Sequence, residues 1–179
     1  MKPVSKEFEN LALDLSARAA ELLTRRGLKV SISESCTGGL LSYHFTANAG
    51  ASNVLDGAMI CYANAIKAQW LGVSEADLAR YGAVSAPVVE QMCRGILAQS
   101  GADIALATSG IAGSGGGSAE KSVGSVYIAL VARGGTYDRD EFVRVELCHF
   151  DGDRHAVQIG ACRYALSMLL ELLEVNAEK

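Results

Sequence analysis

Stretches of helical periodicity alternate with short apolar runs along this chain, and two of those runs end in glycine-rich loops. That alternation limits the fold more tightly than any other feature. Residues 5–26 place Phe8, Leu11, Ala12, Leu15, Ala19, Leu22 and Leu23 at helical spacing, with Gly27 as the stop. Residues 28–35, LKVSISES, read as a strand in which Val30 and Ile32 alternate with serines, so that one face is polar or lines a site. A loop then enters a helix ending near Gly50. Residues 55–64 read as a buried strand, and a short helix begins with Asn64 as its cap. Ser74 caps another short helix. Ser85, with Pro87 behind it, opens a longer one to about residue 101. Residues 102–110 and 123–133 are strand-like, and Gly134-Gly135 turns the second into a hairpin with residues 140–150. A final helix covers about 153–175. Interleaved helices and strands with an antiparallel end predict the α/β class: helices on both faces of a mixed, mostly parallel sheet. With 179 residues, a single domain over 1–179 is expected.

The strand at 102–110 runs straight into SGIAGSGGGSAEKSVGS, residues 109–125. This falls one residue short of the phosphate loop G-x-x-x-x-G-K-[ST]. Gly115, Lys121 and Ser122 are in place, but Glu120 stands where the second glycine belongs. A phosphate loop also leads into a helix, whereas VGSVYIALVA is strand-like. A nucleoside-triphosphatase is therefore excluded. Gly110, Gly113, Gly115, Gly116, Gly117 and Gly124 still leave several backbone N–H groups able to form an anion nest, with Lys121 nearby. The same glycines equally suit a flexible connection between strands.

The second glycine loop, SESCTGG at residues 33–39, lies at a strand's carboxyl end and opens a helix. In open α/β sheets that is where ligands bind. The amides of Thr37, Gly38 and Gly39 are candidates to face a negative charge or a developing oxyanion. Ser35 and Cys36 are the candidate nucleophiles, although by spacing alone Ser35 reads as a helix cap and Cys36 as a buried neighbour. The flanks are not G-x-S-x-G, so this is not a hydrolase nucleophile elbow. His44, His149 and His155 come without partners at catalytic spacing. Lys67, near the start of a helix that also follows a strand, is a candidate base if burial lowers its pKa.

Composition narrows the function classes. A net charge of -4 gives no basic stripe for a nucleic-acid backbone. The apolar run around residues 11–23 is broken by Asp14, Arg18 and Glu21, so neither a signal segment nor a membrane span is expected there. Five cysteines without C-x-x-C spacing suggest a reduced, cytoplasmic protein with no structural metal.

Four separated stretches carry a resemblance to one family. ESCTGG (34–39), Y-x-N-x-x-K followed by LGV (62–73), GAVS-x-x-VV-x-x-M (82–92) and SGIAG-x-x-GG-x-x-x-K-x-VG (109–124) occur in order, and FDGDRHAV (150–157) resembles a closing F-x-GDR-x-x-V. The chain resembles the C-terminal domain of the competence/damage-inducible protein CinA, a family that includes stand-alone nicotinamide-nucleotide amidohydrolases. The resemblance implies a three-layer α/β/α sandwich. It implies hydrolysis of the carboxamide of nicotinamide mononucleotide, without metal or organic cofactor. It makes Ser35 the nucleophile, Lys67 the base and Tyr62 an orienting or relaying group. Asn64, Thr37, Gly38, Gly39, Gly110, Gly113, Gly116, Gly117 and Lys121 would hold the mononucleotide. It also suggests self-association, with a dimer expected.

This chain departs from the family pattern at four places. Ser114 and Ser122 replace prolines of the glycine loop, Ala65 replaces a glutamate, and Gln158 stands where an arginine is common. The proposed reacting groups survive while their surroundings change. Two function classes follow: a working amidohydrolase, or a nucleotide-binding module that has lost turnover.

Overall fold

The computed structural model describes residues 6–113, 115–117, 121–136 and 140–175. Ser114 and Glu120 lie outside them. Helix α1 (Lys6–Arg26) carries Glu7 and Glu9 in its first turn and Arg25 and Arg26 in its last, as the helix dipole favours. Ala12, Ser16, Ala19 and Leu23 form its buried stripe. Gly27, at φ 63°, ends the helix, and the Leu28 amide returns to the Leu23 carbonyl. Strand β1 (Val30–Glu34) follows, then α2 (Leu40–Thr46), a single 3-10 turn (Ala51–Asn53) and β2 (Leu55–Ile60). Helices α3 (Asn64–Leu71), α4 (Glu75–Tyr81) and α5 (Ala86–Gln99) precede β3 (Ile104–Gly110). Strands β4 (Ser125–Ala132) and β5 (Phe142–His149) and helix α6 (Arg154–Val175) complete the order.

The sheet order is β2-β1-β3-β4-β5. β1 pairs in parallel with β2 and β3, and β4 pairs antiparallel with β3 and β5. Four of the five strands therefore point the same way, with β4 reversed. Two cores flank the sheet. One joins α1, α2 and α6 to Val30, Ile32, Leu106 and Ile128. The other joins α3, α4 and α5 to Ala105, Ala107, Ala129 and Val131. This is the expected three-layer α/β/α sandwich. Helix α6 is apolar and long enough to cross a membrane, but most of that surface is buried in the first core.

Three expectations need correction. Strand β2 is not a buried strand. It is an edge strand with Asp56, Ala58 and Ile60 exposed, because its place at the end of the sheet leaves one side uncovered. Asn64 is not a cap. Ala63 holds that position without a side-chain bond, and Asn64 is the first, exposed residue of α3. Ser85 does sit at the cap of α5, yet its hydroxyl donates to the Gly82 carbonyl rather than accepting from the helix. Ser74 behaves as expected and accepts from the Asp77 amide. The serine face of β1 is polar but buried, since α5 covers it and Ser31 and Ser33 have no solvent access.

The topology sets the site. From β1 the chain moves outward to β2, then returns past β1 to β3. The carboxyl ends of β1 and β3 thus flank a switch point, where loops diverge and leave a crevice.

Candidate active site

Three chain segments meet at that crevice: residues 35–39 after β1, residues 61–63 after β2, and residues 110–117 after β3. At their junction, Lys67 Nζ lies 3.1 Å from Ser35 Oγ. The two residues are 32 apart in sequence and share no element. Lys67 comes from the first turn of α3 and folds back over the segment that leads into it. There Nζ also donates to the carbonyls of Cys61, at 2.7 Å, and Tyr62, at 2.8 Å. Lys67 is 1% exposed and Ser35 8%. Burial holds the Lys67 ammonium below its ordinary value, outweighing the opposing pull of the Cys61 and Cys36 thiols.

Two carbonyls and one hydroxyl surround Nζ, and the protonated amine, with three N–H groups, donates to all three. Loss of one proton leaves two N–H groups for the Cys61 and Tyr62 carbonyls and turns a lone pair toward Ser35 Oγ, whose hydroxyl can then donate to the nitrogen.

Ser35 is fixed from several sides. Its amide donates to the Thr108 carbonyl, and Thr37 Oγ1 and Thr108 Oγ1 lie 2.7 Å apart. Gln158 Nε2, from α6, donates to the Cys36 carbonyl at 2.8 Å. The residue at 158, a departure from the family pattern, therefore bonds the loop that carries Ser35. Ser35 is not the helix cap. Gly39 occupies that position at φ 100°, a conformation that favours glycine, and Gly38 precedes it at φ 63°. Cys36 is 4% exposed, and burial pushes its thiol up to about 12, which leaves it inert beside the serine.

Of the three amides expected to receive an anion, those of Gly38 and Gly39 are already committed, while the Thr37 amide donates no backbone hydrogen bond among the described residues. Gly38 N–H donates to the Ser35 carbonyl and Gly39 N–H to Glu34 Oε2. Glu34 is fully buried, and its carboxylate also accepts from the Leu41 amide, the Ser42 amide and the Ser42 hydroxyl. A protein carboxylate thus fills the start of α2, where a substrate anion would have to displace it.

The space for a ligand is lined by sequence neighbours of the pair, and neither Ser35 nor Lys67 is itself among the lining residues. A pocket of 290 Å³ is lined by Cys36, Tyr62, Gly110, Ile111, Ala112, Gly113, Gly115, Gly116 and Arg154. Tyr62 places its 63% exposed side chain at this wall and its carbonyl on Lys67. Gly110, Gly113 and Gly116 line the pocket, whereas Gly117 and Asn64 do not. A Cβ on Gly117 would meet Val123, so this glycine allows the loop to close on itself. Lys121 points elsewhere and donates to the Tyr81 carbonyl, at the end of α4. It ties the loop to the helical layer. Ser122 leads into β4, which confirms that no phosphate-loop helix follows.

Arg154, the first residue of α6, was not singled out from the sequence. Its guanidinium packs over Gly113, where an added Cβ would come within 2.7 Å of Nη2. It is exposed and forms no ion pair among the described residues. The signal was an arginine inside GDR at a helix start, the end of a helix where the dipole disfavours a cation. The histidines lie away from the pair. His155 bonds Glu9, His149 faces Asp151, and His44 is buried in the first core with its backbone carbonyl bonded to Ser16.

Proteins of similar sequence share this chain's length or contain it as a part. The nicotinamide-nucleotide amidohydrolase PncC of Escherichia coli K12 is 44% identical over 158 residues, which cover 88% of this chain and 92% of that protein. A CinA-like protein of Akkermansia muciniphila is 44% identical over 149 residues, 83% of this chain. The match spans only 34% of the length of that longer relative. Among solved structures, the competence/damage inducible protein CihA of Agrobacterium tumefaciens superposes with a TM-score of 0.84 at 38% identity, covering 96% of this chain and 99% of that one. Residues 12–173 match the model of the CinA C-terminal domain, and the chain belongs to that family.

Proposed function

We propose that this chain is an amidohydrolase that converts nicotinamide mononucleotide to nicotinate mononucleotide and ammonia, with Ser35 as nucleophile and Lys67 as general base. The observation that carries the reading is the buried contact between Lys67 Nζ and Ser35 Oγ, with two carbonyls taking the remaining N–H groups. The name and near-complete coverage of the Escherichia coli relative support the substrate.

In the proposed reaction, neutral Lys67 takes the Ser35 proton as Oγ attacks the carboxamide carbon. The C=O electrons move to oxygen. The amides of Ala112 and Gly113 lie in the pocket wall and donate no backbone hydrogen bond among the described residues, so they are available to the oxyanion. Collapse of the tetrahedral species breaks the C–N bond, and protonated Lys67 gives its proton to the departing ammonia. Water, deprotonated by Lys67, then attacks the acyl-serine. It releases the nicotinate product and returns the proton to Ser35. Arg154 is placed to take the phosphate, because the start of α2 is closed by Glu34 and Lys121 is held by Tyr81.

The test is ammonia release from nicotinamide mononucleotide by the wild type, Ser35→Ala and Lys67→Ala. Turnover by the wild type alone supports the reading. A wild type that is inert, yet whose melting temperature rises with the nucleotide, would replace it with a nucleotide-binding module.

A further inference from the structure

We propose that Glu34 is a positioning residue for the nucleophile: its carboxylate closes the turn that carries Ser35 and holds Oγ in reach of Lys67. This rests on the Ser35–Lys67 reading above. Glu34 has no solvent access and is not among the residues that line the pocket, and its carboxylate is spent on the protein's own donors. Oε2 accepts from the amides of Gly39 and Leu41 at 2.9 and 3.1 Å, and Oε1 from the amide and hydroxyl of Ser42 at 2.8 and 2.7 Å.

Those donors belong to α2, while the acid belongs to the end of β1. The carboxylate therefore spans residues 35–38 and fastens the helix start to the strand. Helix α2 has no cap of its own, since Gly39 offers no side chain. The turn needs such a fastener because it contains two left-handed glycines, which on their own leave the backbone free to sample other conformations. The Glu34 backbone also accepts the Cys61 amide at 2.7 Å, and Cys61 supplies one of the two carbonyls that orient Lys67. One residue thus holds the base side of the site through its backbone and the nucleophile side through its side chain.

Glu34→Gln keeps the volume but turns one acceptor into a donor facing N–H groups. The measurement is the rate at which a serine-directed fluorophosphonate labels Ser35, read by peptide mass spectrometry, beside near-ultraviolet circular dichroism and ammonia release. The expected result is a folded variant labelled about 100-fold more slowly, with kcat for the nucleotide falling by a similar factor and KM little changed. If the folded variant labels at the wild-type rate, or if KM rises as much as kcat falls, the proposal is overturned. Should Glu34→Gln fail to fold, Ser42→Ala carries the test by removing one of the four donors. A roughly two- to tenfold slower labelling supports the proposal, and an unchanged rate refutes it. Labelling is independent of the nucleotide, so a labelled wild type that releases no ammonia sinks the substrate and leaves the Glu34 result standing. A wild type never labelled at Ser35 overturns both.

Discussion

The protonation of Lys67 can be read twice, in catalysis and in stability. Its ordinary value is 10.5, and burial lowers it in the folded protein. As pH falls below 10.5 the unfolded chain takes up the proton first, so stability is lost until the pH reaches the folded value. Above 10.5 that loss is absent. Each unit of depression is worth about 1.4 kcal/mol. Lys67→Met keeps most of the stem and removes this pH dependence. It also strips the amine from the Cys61 and Tyr62 carbonyls. Leaving those two acceptors unpartnered costs about 1–3 kcal/mol each, with the half-buried Tyr62 carbonyl at the low end. The assay is urea unfolding of both proteins across the alkaline range, alongside kcat. The difference in stability between wild type and variant should shrink as pH falls through the window below 10.5, while wild-type kcat falls as Lys67 is protonated. The variant should lose about 10²–10⁴ in kcat. A stability difference that does not vary with pH, or a variant with near-wild-type kcat, would refute a buried amine acting as base.

Other substitutions separate binding from chemistry and packing. Arg154→Ala should raise KM for the mononucleotide about 10- to 100-fold with kcat nearly unchanged, as loss of a charge-assisted bond to phosphate predicts; steady-state kinetics decides it. Gly95→Ala should lower the melting temperature strongly, because its Cβ would fall 2.1 Å from the Leu71 carbonyl oxygen, where α5 meets the end of α3. Overpacking of this kind costs about 1–3 kcal/mol or more. Cys36, with its thiol pushed up to about 12, should resist iodoacetamide at neutral pH in the folded protein and react after unfolding; rapid modification of the native state would contradict its burial.

The elements legible in the sequence were those whose signals are local. Helix α5 announced itself through Ser85, Pro87 and a face of Val88, Val89, Met92 and Ile96, all buried in the structure. Strand β2 misled because Leu55, Met59 and Ile60 look like core, and only the sheet order makes it an edge. The site divides the same way. Ser35 and Lys67 could be named through the family resemblance, but no spacing rule brings together residues 32 apart on different elements. Glu34 left a signal that went unread. It shares a strand face with Val30 and Ile32, which belong to the first core, so an acid there needs internal partners. The amides of Gly38 and Gly39 were correctly placed at a helix start. What could not be read was that this acid had already claimed the site.

Of the departures from the family pattern, Gln158 falls on the reacting side of this division and Ser122 on the binding side. Ser35 and Lys67 are buried; β3 and the segment after β2 bond them directly and α6 bonds the neighbouring Cys36, whereas Ser122 sits in the loop whose earlier residues form the pocket wall. There the Ser122 carbonyl accepts from the Ser125 amide, its hydroxyl lies 3.3 Å from that of Ser125, and its own N–H donates no backbone bond among the described residues. Proline at 122 would therefore remove no backbone bond among the described residues, while fixing φ at that position. Such a restriction is worth about 0.4–1 kcal/mol, or roughly two- to fivefold in affinity. Ser122→Pro should lower KM by that factor and leave kcat alone. A change in kcat at constant KM would mean that the loop governs the chemistry after all, and that the separation of a rigid reacting end from an adjustable binding end is wrong.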